Sequence, residues 1–321
     1  EFIEIQSNPF LLSFSLGFER AISSELGKII SSVSPDIIIS EWQTYHSVSK
    51  VAKNTQIPHI VMDRSPPIMS TLRGKLQGFH YSRAWKSGSK ADGAVIKSKH
   101  LRDHLSSRFK LPDKVAIMPS AVDITKYPRI ITRRNLIPRI VYHGRLDRMR
   151  GVGSIVEACD ILNSDDCIVE LLMFGEGDIF NQLLSQSESR EWMQVLGKVS
   201  YEEVPELLVS CDIGVIPFPD LEIWNHSSPL KLYEFAASGL SVVATDIVCN
   251  QVVGDREWLH LYDPQSGPAG LSRKIRSLIE EGDLPSKSAI AYEDSKTEFS
   301  WDNAIDELEV LIGELTNLRG K

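Results

Sequence analysis

The feature of this sequence that most constrains its fold is an alternation of short apolar runs with longer segments of helical periodicity. In the first part of the chain the apolar runs cover residues 37–39, 59–62, 93–96 and 115–118. Helical patterns accompany them at residues 16–31, 47–54 and 99–109. Short, wholly apolar runs are typical of strands that are buried on both faces of a parallel sheet, with helices as the covering layers. This part of the chain is therefore predicted to form a parallel α/β domain.

A second alternation of the same kind begins near Arg139 and predicts a second sheet of about six strands. The predicted strands are 140–143, 168–174, 193–196, 213–216, 241–244 and 259–262. The predicted helices are 153–162, 178–186, 202–210, 230–238 and 269–280.

The domain boundaries follow from these two sets of elements. The segment from Asp123 to Pro138 separates them and is predicted to be the linker. A last helix, predicted at 301–318, carries an apolar stripe of Ile305, Leu308, Leu311 and Leu315. Such a stripe needs a partner surface, so we expect residues 301–321 to cross back to the N-terminal domain. The expected domains are residues 1–130 together with 301–321, and residues 131–300.

Charge is divided unevenly between the two parts of the chain. Residues 1–130 contain 18 Lys and Arg against 11 Asp and Glu, whereas residues 131–321 contain 17 against 32. The net charge of −8 argues against a nucleic-acid partner. The sequence has no apolar run of about 18 residues and only four cysteines, without CxxC spacing. These features predict a cytoplasmic protein with free thiols. Peripheral association with the cytoplasmic face of a membrane is compatible with this prediction.

The stretch from Arg64 to Ala91 is basic and contains no acidic residue. Cations interleaved with aromatic residues are typical of a surface that binds an anionic membrane. The residues expected at such a surface are Arg73, Lys75, Phe79, Tyr81, Arg83, Trp85 and Lys86. The alternative interpretation is a solvated loop and helix face.

Residues 142–151 form a predicted strand-to-helix turn that combines glycines with arginines. A glycine such as Gly144 lets the backbone approach a ligand closely, and the N-terminus of the next helix favours anions. Arg145 and Arg150 can both point into the turn, where guanidinium groups suit phosphate oxygens. Taken alone, the pattern fits equally well a structural loop with surface arginines.

A second motif runs from His226 to Gly239. Ser228 followed by Pro229 is typical of an N-cap with proline at the first helical position. Glu234, just over one turn later, can accept hydrogen bonds from the vicinal hydroxyls of a ribose, or it can complement the helix dipole. A third glycine turn, at 175–177, also follows a predicted strand, at the sheet edge where α/β domains bind ligands.

These motifs together resemble those of the GT-B nucleotide-sugar glycosyltransferases of family four. Residues 144–151 resemble the pattern G-R-L-x-x-x-K-G, with arginine in the place of lysine. Residues 227–235 resemble the S-P-L-K-L-F-E-Y form of the glutamate-rich motif, and residues 175–177 resemble its G-x-G turn. Residues 119–123 are similar to P-N-G-V-D. The resemblance covers about residues 115–318 and implies two Rossmann-like α/β domains facing a cleft.

The resemblance implies a retaining hexosyltransferase that uses a UDP- or GDP-sugar without a metal or another cofactor. It places Arg145 and Arg150 on the donor diphosphate, as catalytic residues, and Glu234 on the ribose. The other donor-binding residues that it implies are Gly144, Gly175, His226, Ser227, Ser228, Pro229, Leu230 and Lys231.

One of these positions departs from the family pattern. His226 stands where many members have a first glutamate, which contacts the donor sugar. A non-catalytic GT-B protein that binds a partner is therefore an alternative, as is a GT-B sugar-nucleotide epimerase.

The N-terminal half resembles the family less. Residues 35–38 resemble a P-D-V-I strand that normally lies further along the chain, so the first β-α-β unit is expected to be missing. Asp63-Arg64 resembles the D-x-R-D region of members that act on lipid-linked acceptors. The resemblance implies that Asp63 is a catalytic residue that orients an acceptor hydroxyl on a membrane lipid or polyprenol-linked glycan. The alternative is that Asp63 caps a helix or turn.

Overall fold

A computed structural model describes residues 14–67, 72–128 and 135–317. The chain divides into two compact units, Glu1–Pro119 with Ile305–Lys321, and Ser120–Ala304. The division falls at Pro119 rather than at the expected residue 130. The reason is that the backbone of Ser120 and Val122 bonds within the second unit, the former to Ser228 and the latter to Phe299.

The first unit contains a parallel sheet of four described strands in the order β1-β2-β3-β4. The strands are β1 (Ile38–Glu41), β2 (His59–Asp63), β3 (Gly93–Ile96) and β4 (Val115–Ile117). The helices between and before them are α1 (Phe14–Val33), α2 (Tyr45–Thr55), α3 (Leu72–Gly88) and α4 (Lys99–Ser106). The expectation that a first β-α-β unit is missing depends in part on residues 1–13, which lie outside the described residues.

The second unit contains a parallel sheet of six strands in the order β10-β9-β8-β5-β6-β7. Its strands are β5 (Arg139–His143), β6 (Glu170–Phe174), β7 (Met193–Leu196), β8 (Ile213–Ile216), β9 (Ser241–Thr245) and β10 (Leu259–Tyr262). Its helices are α5 (Gly153–Ser164), α6 (Phe180–Ser187), α7 (Val204–Leu208), α8 (Glu222–Asn225), α9 (Leu230–Ala237), α10 (Gly267–Glu281) and α11 (Leu284–Thr297).

The strand order of the second sheet reverses next to β5. The chain proceeds from β5 to β6 and β7 on one side, and then returns to place β8 on the other side of β5. In open α/β sheets, ligands bind beyond the carboxyl ends of the strands at such a reversal. The ends of β5 and β8 are therefore the place where this unit is expected to bind a ligand.

The C-terminal helix α12 (Trp301–Asn317) belongs to the first unit from Ile305 onwards. Leu311 and Leu315 are buried in a cluster with Ile60, Val95 and Ala116 of the first sheet. The neighbouring residue Val61 lies in a different cluster, with Trp85 of α3, because successive strand residues point to opposite faces. The first sheet is thus covered by helices on both faces, as strands of this wholly apolar kind require.

The fold class predicted from the sequence is confirmed: both units are parallel-sheet α/β domains of the Rossmann-like kind. Among the described residues, no helix is both long enough and apolar enough to cross a membrane.

Gly214 of β8 provides a test of the packing in the second unit. A Cβ built at this position would lie 2.4 Å from the ring of the fully buried Phe235 of α9. We expect Gly214→Ala to lower the free energy of unfolding by about 1–3 kcal/mol, the typical cost of overpacking a core. Urea denaturation measures this loss. Gly153→Ala is the control, because a Cβ at position 153 meets no atom within 4 Å. Equal midpoints for the two variants would contradict the packing described here.

Candidate functional site

The turns that follow β5 and β6 pack directly against each other. Gly144 N–H donates to Phe174 O at 2.9 Å, and Leu146 N–H donates to Glu176 O at 2.8 Å. A Cβ at Gly175 would lie 1.9 Å from Gly144 O, and both residues have positive φ angles, 132° and 101° respectively. Only glycine tolerates this combination of backbone angle and close approach. The sequence predicts both glycine turns at strand ends, and the structure brings them together.

Arg150 lies in the second part of the first turn, at the end of a short 3-10 segment, Arg148–Arg150. Its guanidinium carbon lies 4.7 Å from the ring centroid of Trp224 and 5.6 Å from that of Phe218. These two rings stack on each other at 4.9 Å, and Trp224 Nε1 donates to Met149 O at 3.1 Å. The guanidinium is thus held in place by aromatic rings, with its side chain 26% exposed.

Arg145 differs from Arg150 in exposure and in its partner. Its side chain is 63% exposed, and its Nε and Nη2 donate to the two carboxylate oxygens of Asp147, each at 3.0 Å. Burial alone would raise the pKa of Asp147, but the hydrogen bonds from Arg145 and from the Asp178 backbone lower it. Arg145 must therefore release Asp147 before its Nε and Nη2 can together bind another anion.

Helix α9 delivers two ionisable side chains to this region, Lys231 and Glu234, which are only 7% and 3% exposed. Lys231 Nζ lies 3.8 Å from the ring centroid of Tyr142, the penultimate residue of β5. Glu234 Oε2 lies 3.2 Å from Nε2 of His143, the last residue of β5. The His143 ring in turn stacks on Phe174 at 5.3 Å. The N-terminal half of α9 is thus fixed against the end of β5 by ionisable as well as aromatic side chains.

The start of α9 corrects the expected cap. Pro229 has an extended ψ angle of 113° and is itself the N-cap residue, so the helix begins at Leu230. Ser228 Oγ instead accepts from Ser120 N–H at 3.0 Å, and Ser120 Oγ donates to Ser228 O at 2.7 Å. Ser228 therefore ties the segment after the first unit to the helix start, while the N–H groups of the first turn still point out of the helix end.

The remaining predicted residues of the second unit lie around this helix start. Ser227 N–H donates to Trp224 O at 2.8 Å. His226 ends the short helix α8 and is 2% exposed, with its Nε2 at 3.7 Å from Glu222 Oε1. Leu230 is 39% exposed. The structure thus gathers the predicted donor-binding residues at the ends of β5, β6 and β8.

Four residues of this region were not assigned a role from the sequence: Tyr142, His143, Phe218 and Trp224. They lie where β5 ends, after β8 and in α8. An aromatic pair and a strand-terminal histidine give no recognisable pattern in a sequence, because it is the sheet that brings them together. The only available signal was that Tyr142 and His143 directly precede the glycine turn.

Asp63 belongs to the first unit, and its environment corrects the expectation for it. The residue is fully buried, and its Oδ2 accepts from Tyr81 Oη at 2.6 Å and from Trp85 Nε1 at 2.9 Å. Burial raises the pKa of Asp63 to about 6, although the two hydrogen bonds oppose this shift. An acceptor hydroxyl cannot reach this carboxylate in the arrangement seen here. Asp63 instead ties the end of β2 to helix α3.

Comparisons with known proteins bear on the second unit most directly. Residues 137–281 match the sequence profile of the family described as Glycosyl transferases group 1. This segment is similar to a glycosyltransferase group 1 domain. It contains all the residues of the candidate site described above in the second unit except Ser120.

One curated relative is similar in sequence over a shorter region. The chain is 29% identical over 112 residues to the amylovoran biosynthesis glycosyltransferase AmsK of Erwinia amylovora. The match covers 34% of this chain and 28% of that protein, so it spans little more than a quarter of the relative's length.

Solved structures show similarity of fold over nearly the whole chain. Sucrose-phosphate synthase from Thermosynechococcus elongatus has a TM-score of 0.79 at 14% identity, covering 98% of this chain and 83% of that one. Anabaena HepE in complex with UDP-glucose has a TM-score of 0.70 at 13% identity, covering 95% and 83%. TarM has a TM-score of 0.74 at 14% identity, covering 92% of this chain and 58% of that one. The segment that matches the group 1 profile thus lies in a chain with the GT-B fold.

The buried carboxyl of Asp63 predicts a pH-dependent stability. Its pKa is about 6 in the folded chain, above the ordinary value of 3.8, and Glu41 adds to the effect of burial. The stabilising contribution of the neutral carboxyl is therefore complete below pH 3.8 and is lost as the pH rises through 6.

We test this with Asp63→Asn. As the pH rises from 4 to 7, the unfolding free energy of the variant minus that of the wild type should increase by about 2–3 kcal/mol. Urea denaturation followed by tryptophan fluorescence measures the shift. Asp36→Asn is the control, because Asp36 of the same unit is exposed. A difference for Asp63→Asn that does not change with pH would contradict the assignment.

Proposed function

We propose that this chain is a retaining hexosyltransferase of family four that transfers a sugar from a UDP- or GDP-sugar. The observation that carries the proposal is the convergence of Arg150, Lys231 and the start of α9 on the glycine turns after β5 and β6. Cations, helix-start N–H groups and side-chain-free backbone are what a diphosphate requires. Structures with this fold support the choice of donor, since HepE has been crystallised with UDP and with UDP-glucose.

The roles proposed for the residues follow from their positions. Arg150 and Arg145 stabilise the negative charge that grows on the diphosphate as the bond to the sugar breaks. Gly144 leaves room for the phosphates, Gly175 lets its turn pack against the backbone of Gly144, and the backbone from Ser227 to Leu230 faces the phosphates. Glu234 accepts hydrogen bonds from the ribose hydroxyls. No metal or other cofactor is proposed, because the arginines supply the positive charge that the leaving group needs.

His226 is the proposed neighbour of the donor sugar, in the place of the glutamate that many family members have. His226 is 2% exposed. Whether the chain transfers the sugar or only binds the donor is tested by experiment. Transfer from a labelled UDP- or GDP-sugar to polyprenol-linked glycans, with the anomeric configuration read by NMR, tests the full proposal. Tight binding without any transfer would favour the non-catalytic alternative, and interconversion of the donor sugar would favour an epimerase.

Arg150→Met tests the donor site while keeping an apolar stem on the rings of Phe218 and Trp224. We expect the affinity for a UDP- or GDP-sugar, measured by calorimetry, to fall about ten- to a hundredfold, the range of a charge-assisted hydrogen bond. The control is Arg148→Met, which removes the same charge from an exposed position in the same turn. Equal losses in the two variants would reduce the effect to general electrostatics and contradict the assignment.

We propose further that the first unit binds an anionic membrane surface through one face of α3. Leu72, Leu76 and Phe79 are 78%, 61% and 67% exposed and recur at helical spacing. The exposed cations Lys75, Arg83 and Lys86 share the helix with them. The combination of exposed apolar side chains with cations suits the interface of an anionic bilayer.

Two of the aromatic residues expected at the membrane do not contribute to this face. Tyr81 and Trp85 are 7% and 1% exposed and belong to the core between α3 and the sheet, so they cannot enter a bilayer interface. The side chain of Arg73 lies outside the described residues. The proposed surface therefore consists of Leu72, Lys75, Leu76, Phe79, Arg83 and Lys86.

Vesicle sedimentation tests the membrane proposal. The chain should pellet with vesicles of phosphatidylcholine and phosphatidylglycerol but not with phosphatidylcholine alone, and should be released at about 1 M salt, where the Debye length is about 3 Å. The triple variant Lys75→Ser, Arg83→Ser, Lys86→Ser should lose most of this binding. The control removes three exposed lysines elsewhere in the unit, by Lys53→Ser, Lys99→Ser and Lys110→Ser. The same loss in the control would refute a role for this particular face.

A further inference from the structure

Lys231 is the one lysine of helix α9, and its amino group lies in an unusual environment. The residue is 7% exposed, and Nζ has no hydrogen-bond acceptor among the described residues. Its nearest neighbours are aromatic: the ring centroid of Tyr142 lies at 3.8 Å and that of Phe218 at 5.3 Å. A buried ammonium group normally needs a counter-charge or hydrogen-bond acceptors. The faces of these rings attract a cation weakly, but they supply neither a full negative charge nor a conventional acceptor.

The charged groups around Lys231 do not supply that counter-charge. Arg150, from the turn after β5, lies over the same Phe218 ring at 5.6 Å and repels a second cation. Its carboxylate neighbour Asp147 is already bonded to Arg145. Glu234, on the same helix as Lys231, attracts a cation but is directed to His143 at 3.2 Å.

The balance of these effects favours the uncharged amine. Burial lowers the pKa of Lys231 well below its ordinary value, and Arg150 lowers it further, while Glu234 opposes both. The hydroxyl of Tyr142 donates to Arg145 O at 2.9 Å, so the tyrosine contributes only its ring.

The amine is also placed against the glycine turn. A Cβ built at Gly144 would lie 3.8 Å from Lys231 Nζ, so a ligand that occupies the space left by this glycine comes within reach of the amine. An anion there would supply the acceptor that Nζ lacks and would offset the repulsion from Arg150.

We propose that Lys231 is a donor-diphosphate ligand that is uncharged in the free protein and takes up one proton from solvent when the nucleotide sugar binds. This inference rests on the proposed function and adds to it a proton-coupled step. The amine becomes an ammonium group that donates to a phosphate oxygen, and no other bond is made or broken. Lys231 thereby contributes a charge to the complex without the cost of keeping an unpaired cation buried in the free protein.

A consequence of the proton uptake is that donor affinity depends on pH. The diphosphate of a nucleotide sugar is esterified at both ends, so it has no proton of its own to exchange near neutral pH. Above the pKa of Lys231 in the free protein, each rise of one pH unit should weaken binding by up to about tenfold, until the pKa of the complex is reached. Free UDP is a poorer probe, since its terminal phosphate titrates near neutral pH.

Calorimetry with UDP-glucose and with GDP-mannose, in buffers of high and low ionisation enthalpy, measures the proton uptake. For whichever of the two binds more tightly, the observed heat, measured in steps from pH 6 to pH 9, should depend on the buffer with a slope that reaches about one proton per molecule bound. Lys231→Met, which keeps an unbranched apolar chain between the rings, should abolish the slope and flatten the pH dependence of the affinity. Lys296→Met removes an exposed lysine of the same unit and should leave both unchanged.

The outcomes separate this inference from the proposed function. Binding of either nucleotide sugar to the wild type with no buffer-dependent heat would overturn the proton uptake and leave the donor site standing. A slope that persists in Lys231→Met would assign the proton to another group and equally overturn the proposal. Failure of both nucleotide sugars to bind the folded wild type would overturn the proposed function, and the inference with it.

Discussion

The close approach of the turns after β5 and β6 is the constraint on which the second unit depends. Gly175 would bring a Cβ to 1.9 Å from Gly144 O, and Gly177 would bring one to 2.2 Å from Leu146 O. Since no side chain fits between these backbones, the two turns form a continuous backbone surface at the carboxyl edge of the sheet. The start of helix α9 is fixed near this surface by Pro229, which ends the extended segment, and by the hydrogen bond of Ser228 to Ser120.

Burying the ionisable side chains of α9 costs folding free energy, and the groups around each side chain determine how large this cost is. Lys231 and Glu234 are as buried as their apolar neighbours on the helix. Glu234 faces a histidine, whereas Lys231 faces only aromatic rings and the guanidinium of Arg150. A core selected for stability alone would not bury a lysine amine beside a guanidinium without an acceptor for the amine, so this arrangement supports the proposed anionic ligand.

The sequence predicted most of the strands but misjudged the segment between β2 and β3. Its cations and aromatic residues were interpreted together as a membrane surface, whereas helix α3 divides them. Phe79 lies on the exposed face, and Tyr81 and Trp85 face the sheet, where both donate to Asp63. Three glycines, at positions 74, 78 and 88, weaken the helical pattern in this segment, which is why its two faces could not be separated from the sequence.

The sequence by itself determined that the chain forms two parallel α/β units, because wholly apolar runs separated by helices have few other ways to be buried. It also located the glycine turns and the helix start, which are local features of the backbone. Only the tertiary structure decided which side chains meet there. The pairing of Glu234 with His143, the rings around Lys231 and Arg150, and the burial of Asp63 all join residues that are distant along the chain. Such contacts are set by the strand order and by helix packing, and no local pattern encodes them.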